Sequence, residues 1–457
     1  MKNTIRQHYK PVDFFAMKRR LKVFKFGGAS LKDAEALRNV AQILRKQQGG
    51  PLLVVVSAMG KTTNALEAVV AAHYRENEEA IFLLHQLRDR HLEVAKSLFA
   101  GQAPVSELLC QTFREAEQWL HRKPEELEYD YLYDQVVSVG ELASSQLTAA
   151  YLNEVDIPAR WLDARAVIRT DAIYREGWVQ WEKTQEQYNA LVRPMLEEPG
   201  LILTQGFLGS TADNHTTTLG REGSDYSAAI FSFCSDAESM TIWKDVPGVL
   251  TADPRLFENV IKLDRLSYRE AIEMTYYGAK VIHPKTIKPL QNKSIPLYVK
   301  SFIEPEGEGT YISDEVEDNY PSMVAVEHDQ ALLQISTRDF SFVAEHHMSY
   351  LFKLIADLRL QVNMMQNSAI SFSVVLNDVD DKVDRLTELI EKEFKVVADR
   401  GLELITVRHF RQEVLDSLRR GKIVLLEERI RNTAQLVVKD VPMMVRKSKW
   451  PNGKAPG

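Results

Sequence analysis

The sequence predicts an α/β fold: a mainly parallel central sheet flanked by helices, followed by two ferredoxin-like βαββαβ modules. Continuous apolar runs such as Leu52–Val56 are typical of strands that are buried on both faces of a parallel sheet. A helical pattern lies between the first two such runs, and strand, helix, strand is the opening of a βαβ unit. Later in the chain, strand and helix patterns follow the order of a ferredoxin-like module and then partly repeat it.

The first part of the chain carries the pattern of the parallel sheet. Its expected strands are Leu21–Phe26, Leu52–Val56, Leu201–Thr204, Met240–Trp243 and Leu297–Val299. We expect a helix at Asp33–Gln47 and a long helical region at Asn64–His121. Within that region, His91 lies at helical spacing from several leucines. Because no further metal-ligating side chain stands at a suitable spacing, His91 is interpreted as a packed histidine rather than a ligand.

The last part of the chain carries the pattern of the small modules. Its expected strands are Ala331–Ser336, Gln361–Met365, Ile370–Leu376, Leu402–Val407, Ile423–Glu427 and Ala434–Val438, and its expected helices are Met348–Leu358, Lys382–Phe394 and Glu413–Arg419. The polar segment Glu304–Thr310, with its glycines and proline, indicates a linker. The expected domains are a basic extension at 1–20, a large α/β domain at 21–303, modules at 311–390 and 391–446, and a tail at 447–457.

The composition excludes several classes of protein. The 457 residues include 57 Lys and Arg against 64 Asp and Glu, a net charge of −7, whereas nucleic-acid binders need a basic excess. Apolar runs stay well short of the roughly 20 residues of a membrane span, and the basic N-terminus lacks the apolar core of a secretory signal. Cys110 and Cys234 cannot build a disulfide framework or a cysteine-based zinc site. We expect a cytoplasmic protein that binds neither nucleic acid nor membranes.

A glycine pair follows the first expected strand, in the segment Lys25–Ser30 (KFGGAS). In open α/β sheets, ligands bind at the carboxyl ends of the strands. Gly27 and Gly28 would let backbone N–H groups approach an anion closely, with Lys25 as a nearby cation. The segment is not a Walker loop. Taken alone, it favours a turn at the strand end with a solvated lysine over a phosphate site.

A second glycine cluster, Gly220–Ser227 (GREGSDYS), precedes an expected helix. A capped helix with a surface arginine explains it, and so does an anion site at a helix N-terminus. Arg221 is suited to a bidentate grip on a carboxylate. Asp225 would repel a polyphosphate unless a cation held it, and Lys25 is the candidate cation. We therefore expect the two clusters to form one site.

A third segment, Trp243–Arg255 (WKDVPGVLTADPR), combines turns with charged residues. Pro-Gly after Asp245 predicts one turn, and Asp253 followed by proline predicts another. The segment is typical of an ordinary loop, and equally of a loop that closes on a nucleotide.

Six motifs in this order resemble the aspartokinases, a branch of the amino-acid kinase family. They are KFGGAS at Lys25–Ser30, VVSAMGKTTN at Val55–Asn64, VSVGELAS at Val137–Ser144, GREGSDYSA at Gly220–Ala228, WKDVPGVLTADPR at Trp243–Arg255 and YGAKVIHPKT at Tyr277–Thr286. The last part of the chain resembles the paired ACT regulatory modules of these enzymes. The resemblance implies an amino-acid kinase fold for the catalytic domain at 21–303, followed by two ACT modules.

The resemblance also implies a reaction. It is the transfer of the γ-phosphoryl group of ATP to the side-chain carboxylate of L-aspartate, giving 4-phospho-L-aspartate on the way to lysine, threonine and methionine. Lys25 and Asp225 would be catalytic, and Mg²⁺ would be held mainly by the nucleotide phosphates, with no protein metal ligands. The residues implied around the aspartate are Thr63, Glu141, Arg221 and Ser224, with Glu141 at the α-amino group. The residues implied around the nucleotide are Lys25, Phe26, Gly27, Gly28, Ser30, Lys244, Asp245, Leu250, Arg255, Lys280 and Val281.

Departures from the family pattern leave two alternatives open. Glu222 stands where relatives usually have glycine, Leu250 where they have tyrosine, and both Ala29 and Lys244 where they have threonine. The alternatives are a kinase-dead amino-acid sensor and a kinase of the same fold that acts on another acid. Neutral Asn363 stands where lysine-sensitive relatives place an acid, so we expect lysine control to be weak, altered or absent.

The resemblance implies several partners. They are L-aspartate, ATP, an amino-acid effector at the ACT modules and a second copy of the chain in a homodimer or larger assembly. A fused homoserine dehydrogenase half is not expected, since the chain ends after the second module.

Overall fold

A computed structural model describes residues 21–47, 49–75, 79–101, 103–279, 282–316, 319–339, 341–441 and 448–449. The extension expected at 1–20 and most of the tail expected at 447–457 lie outside the described residues. Within the described part, no helix combines the length and the apolar character that crossing a membrane requires.

The described chain contains both strands and helices, with four consecutive α-helices between the second and third strands. The strands are β1 (Lys22–Phe26), β2 (Leu52–Val56), β3 (Ala159–Leu162), β4 (Leu201–Gln205), β5 (Leu208–Ser210), β6 (Thr216–Thr218), β7 (Ser239–Lys244), β8 (Phe257–Glu258), β9 (Arg265–Ser267), β10 (Leu297–Ser301), β11 (Thr310–Ser313), β12 (Met323–Thr337), β13 (Val362–Asn367), β14 (Ser371–Asn377), β15 (Phe394–Arg408), β16 (Lys422–Ile430), β17 (Thr433–Asp440) and β18 (Ser448–Lys449). The helices are α1 (Ala34–Lys46), α2 (Thr62–Tyr74), α3 (Glu79–Leu98), α4 (Ser106–Leu120), α5 (Tyr129–Glu154), α6 (Ala164–Val167), α7 (Trp181–Gln187), α8 (Arg193–Met195), α9 (Gly223–Ser235), α10 (Tyr268–Tyr276), α11 (Pro284–Asn292), α12 (Glu345–Asp357), α13 (Lys382–Ile390) and α14 (Gln412–Arg419).

The chain divides into two compact units. The first contains the residues up to Asp245 together with Pro289–Pro305, and the second contains Val246–Lys288 and the residues from Glu306 onward. The domain expected at 21–303 differs from this division, because Val246–Lys288 falls in the second unit.

The first unit is built on a parallel sheet in the order β3-β4-β2-β1-β7-β10. The mainly parallel sheet expected from the sequence is thus confirmed. In β1, Phe24 and Phe26 join a large apolar core shared with α1 to α5. Since side chains alternate along a strand, Lys25 points to the opposite face, where α9 contacts β1.

The long helical region expected in the first unit is resolved into α2, α3 and α4. His91 on α3 is fully buried, its Nδ1 lies 2.7 Å from the carbonyl oxygen of Leu87, and its ring packs 5.2 Å from that of Phe113. Burial lowers the pKa of His91 to about 4, so the ring is neutral. The interpretation of His91 as a packed histidine is confirmed.

The second unit contains an antiparallel sheet in the order β13-β14-β12-β15-β17-β16. Helices α12 and α13 share one apolar core with this sheet, and α14 shares another. Strands β12 and β15 contribute to both cores: Ala331 and Phe394 lie in the first, Val324 and Ile405 in the second. The modules are therefore interleaved, which differs from the tandem boundary expected at 390/391. The helix expected at Lys382–Phe394 ends at Ile390, because Phe394 begins β15.

Candidate active site

The candidate site lies at the carboxyl edge of the parallel sheet. Lys25 is on the central strand β1, paired with Val55 of β2 on one side and Ile242 of β7 on the other. Parallel strands end at the same edge, so the segments that follow β1, β2, β4 and β7 meet there. This placement brings the KFGGAS and GREGSDYS motifs into the same unit and to the same edge.

Lys25 and Asp225 form a buried ion pair. Lys25 Nζ lies 2.6 Å from Asp225 Oδ1, and the two side chains are 11% and 4% exposed. Asp225 is in the first turn of α9. Burial opposes ionisation of the carboxyl, but the charges of Lys25 and Lys244 hold the pKa of Asp225 below its ordinary value. The expectation that these two residues lie together is confirmed.

The glycines after β1 fit closely against the segment after β2. A Cβ on Gly28 would lie 2.6 Å from the carbonyl oxygen of Gly60 and 2.8 Å from that of Ala58, both closer than real Cβ contacts. Gly60 N donates to the Gly28 carbonyl at 2.9 Å. Ser30 is buried and its Oγ donates to the carbonyl of Gly27 at 3.0 Å. The backbone beside Lys25 is therefore fixed by contacts that only glycine permits.

Gly28→Ala is expected to destabilise the protein by about 1 to 3 kcal/mol and to weaken ATP binding, because two backbone carbonyls would have to move. Urea unfolding and the KM for ATP measure the two effects. Gly50→Ala is the matched control, since a Cβ on Gly50 meets nothing within 4 Å. Equal stability of the two variants would contradict the prediction.

Gly206 and Phe207 also lie at this edge, and neither was predicted from the sequence. Gly206 follows β4 and donates from its N–H to the Val56 carbonyl at 2.9 Å. A Cβ on Gly206 would lie 2.5 Å from the Cβ of Ser224, so the α9 N-terminus rests on this glycine. Phe207 has φ +68° and its N–H donates to Ser227 Oγ at 2.9 Å. A glycine two positions after the expected buried strand Leu201–Thr204 is the signal that could have found the contact.

Glu141 lies on α5 and is 3% exposed. Within the described residues its Oε2 atom has no hydrogen-bond partner. Burial raises the pKa of Glu141 to about 8, although a hydrogen bond to the Ala58 backbone and the charge of Lys25 oppose that shift. Thr63, half-buried, is in the first turn of α2. A buried carboxyl group with one oxygen left without a hydrogen-bond partner by the described residues is suited to receiving a cationic group of a ligand.

Arg221 and Glu222 form the turn that leads into α9. Arg221 is exposed. Gly220 has φ +74° and Glu222, at the N-cap of α9, has φ +53°. The left-handed conformation is strained for a glutamate but not for glycine.

Glu222→Gly is expected to be about 1 kcal/mol more stable than Glu222→Ala, because both remove the charge and only glycine relieves the left-handed strain. Urea unfolding of the two variants measures the difference. An alanine variant as stable as the glycine variant would show that this backbone conformation is not costly.

Beyond the segment Lys25–Ser30, the residues expected around the nucleotide fall into three groups. Lys244 ends β7 in the first unit, next to the exposed Asp245. Leu250 and Arg255 are in the second unit, where Leu250 forms a β-bridge with Lys262 and Arg255 pairs with Asp253 at 2.6 Å. The third group, Lys280 and Val281, lies outside the described residues. Their contacts with a nucleotide stay predictions.

Comparison with known proteins gives a consistent result. The sequence matches the amino acid kinase family over residues 20–301. Lysine-sensitive aspartokinase 3 of Escherichia coli (strain K12) is 33% identical over 361 residues, 78% of either chain. The aspartokinase of Chlamydia muridarum is 30% identical over 391 residues, 83% of either chain. Two crystal structures of E. coli aspartokinase III match with a TM-score of 0.78 and 27% identity over 92% of this chain and 96% of theirs. One contains lysine and aspartate, the other aspartate and ADP.

A parallel sheet with a buried lysine at its carboxyl edge, matched over more than half of the chain, places the protein in the amino acid kinase family. Within that family it belongs with the aspartokinases, phosphotransferases that act on a carboxyl group, because relatives of that kind cover most of the chain at 30% identity or more.

Proposed function

We propose that the protein transfers the γ-phosphoryl group of ATP to the side-chain carboxylate of L-aspartate, giving 4-phospho-L-aspartate. The observation that carries the proposal is the buried pair of Lys25 and Asp225 beside the glycine backbone at the sheet edge. Phosphoryl transfer needs in-line positioning and positive charge on the transferring group. A fixed lysine and close backbone N–H groups are suited to both tasks.

The acceptor requires no general base. An aspartate side chain has an ordinary pKa near 3.9, so at neutral pH it is already an ionised nucleophile. We assign Lys25 to charge stabilisation on the transferring group and Asp225 to holding Lys25. The residues that we assign to binding the acceptor are Thr63, Glu141, Arg221 and Ser224. Glu141 meets the α-amino group, which would donate a hydrogen bond to the Oε2 atom that has no partner among the described residues.

We expect the nucleotide to bring its own metal. Within the described residues, no group of three or more His, Cys, Asp or Glu side chains is arranged to hold a metal ion. Mg²⁺ commonly binds through substrate phosphates, water and one or two carboxylates. When bound, it would neutralise phosphate charge. The residues that we assign to the nucleotide and its phosphates are Lys25, Phe26, Gly27, Gly28, Ser30, Lys244, Asp245, Leu250, Arg255, Lys280 and Val281.

One assay tests the proposal against the two alternatives. The protein is incubated with ATP, Mg²⁺ and hydroxylamine, and with aspartate, glutamate or acetylglutamate as the acceptor. Aspartyl hydroxamate is the expected product. Product from another acid alone would favour a kinase of different specificity, and nucleotide binding without any product would favour an amino-acid sensor.

We further propose that an amino-acid effector binds the ACT modules and that lysine acts weakly. Asn363 Nδ2 donates to Gln330 Oε1 and to Asn377 Oδ1, both at 2.7 Å. A neutral amide that is already engaged offers no charge to a lysine ammonium group. Lysine at millimolar concentration is expected to leave most of the hydroxamate activity, and strong inhibition would contradict this. A homodimer and a cytoplasmic location stay predictions; sedimentation of the purified chain measures the first.

A further inference from the structure

Asp134 is a buried carboxylate that the proposed reaction does not use. It lies on α5, seven positions before Glu141, so the two side chains project from the same face of the helix. Asp134 is completely buried and accepts three hydrogen bonds: from Thr218 N at 2.9 Å, Thr218 Oγ1 at 2.7 Å and Arg175 N at 2.9 Å. Burial raises the pKa of Asp134 to about 6, against these hydrogen bonds, so the group is ionised at neutral pH.

The hydrogen-bond donors to Asp134 flank the turn that carries Arg221. Thr218 ends β6, three positions before Arg221. The carbonyl oxygen of Arg175 lies 3.2 Å from where a Cβ on Gly220 would be, and Gly177 N donates to the Thr218 carbonyl at 2.8 Å. The Asp134 carboxylate therefore accepts hydrogen bonds both from the end of β6 and from the backbone of Arg175, which packs against Gly220.

We propose that Asp134 is a positioning residue that sets the distance between Glu141 and Arg221 and so selects the length of the acceptor acid. This inference rests on the proposed function, in which Glu141 binds the α-amino group of aspartate, and it adds that Arg221 binds the side-chain carboxylate at the other end of the acid. Charge-assisted hydrogen bonds in a buried site define geometry strictly. An acid longer by one methylene fits only if the turn at Gly220 moves away from α5, and Asp134 resists that movement.

Asp134→Asn tests the proposal, because the amide carries no charge and offers one accepting oxygen in place of the two that hold Thr218 and Arg175. The affinities for L-aspartate and L-glutamate are measured by calorimetry, and kcat/KM for both acids by the hydroxamate assay. The preference for aspartate is expected to fall about tenfold, within the range for one methylene. The effect is expected in KM for aspartate more than in kcat, with KM for ATP unchanged. An unchanged preference in a folded variant would overturn the proposal.

Two further variants complete the test. Asp130→Asn is the matched control, because Asp130 is on the same helix but pairs with the Arg175 side chain at 3.2 Å. The Asp130→Asn variant is expected to keep the wild-type preference for aspartate over glutamate. If Asp134→Asn does not fold, Thr218→Val removes only the hydroxyl donor, and a preference equal to that of wild type would then overturn the proposal. Absence of hydroxamate from the wild type with every acid would contradict the proposed function, whereas the ratio of the two binding affinities still decides the role of Asp134. Binding of neither acid would overturn both.

Discussion

Asp225→Asn is expected to lower kcat by about 100- to 1,000-fold with a much smaller change in KM. Lys25 and Asp225 are 2.6 Å apart and almost fully buried, so the carboxylate fixes the position of the ammonium group. Phosphoryl transfer depends mainly on such fixed charge, because two anions must approach each other. Without the carboxylate the lysine is no longer held where the charge develops. Steady-state kinetics with aspartate and ATP measure the effect.

A double variant separates this catalytic role from a structural one. Either single change, Asp225→Asn or Lys25→Met, leaves the other charge buried without its partner, which costs about 3 to 5 kcal/mol. With both changes no unpaired charge remains, so the free energy of unfolding is expected to recover toward that of wild type while kcat stays low. Recovery of kcat in the double variant would show that the ion pair has only a structural role.

A surface lysine on the same strand provides the control. Lys22 on β1 is 46% exposed in its side chain and lies 3.8 Å from Glu238. Exposed ion pairs of this kind contribute at most about 1 kcal/mol. Lys22→Ala is therefore expected to keep nearly the wild-type kcat and stability, and a large loss would show that charge anywhere on β1 matters.

The sequence was sufficient to predict that Lys25 and Asp225 lie together, because each residue carries a local signal. Lys25 stands two positions before a glycine pair at the end of a buried strand, and Asp225 stands at the start of a helix after a glycine-rich turn. Strand ends of a parallel sheet meet at one edge, so two local signals imply one site. The contact between Gly206 and Ser224 has no such local signal on its helical side, since it depends on how α9 lies against the sheet.

The interleaving of the modules could not be predicted from the sequence, and the reason is a different one. Apolar alternation identifies a strand but does not indicate which core it joins. In β15, Phe394 and Ile405 belong to different cores although one continuous strand carries both. The assignment of Val246–Lys288 to the second unit is likewise decided by packing and not by motif.

Glu141→Gln is expected to raise KM for aspartate about 100-fold, because a charged partner of the substrate ammonium group becomes neutral. The pKa of Glu141 is raised to about 8, so at pH 6 most of the free wild-type protein carries the neutral acid. A cationic ligand binds the ionised form. KM for aspartate in the wild type is therefore expected to fall as the pH rises from 6 to 8, and Glu141→Gln removes this dependence.

The same substitution is expected to stabilise the protein at high pH. The folded-state pKa of Glu141 lies above its ordinary value near 4.5, so ionisation opposes folding and the wild type loses stability as the pH rises through this interval. The free energy of unfolding of Glu141→Gln, relative to that of wild type, is expected to increase by roughly 3 to 5 kcal/mol between pH 5 and pH 9. Urea unfolding at the two pH values measures the gain, and Glu154→Gln, at the exposed end of the same helix, is the control. A residue whose removal stabilises the fold while weakening acceptor binding is retained for binding, whereas equal pH dependence of all three proteins would show that Glu141 titrates normally.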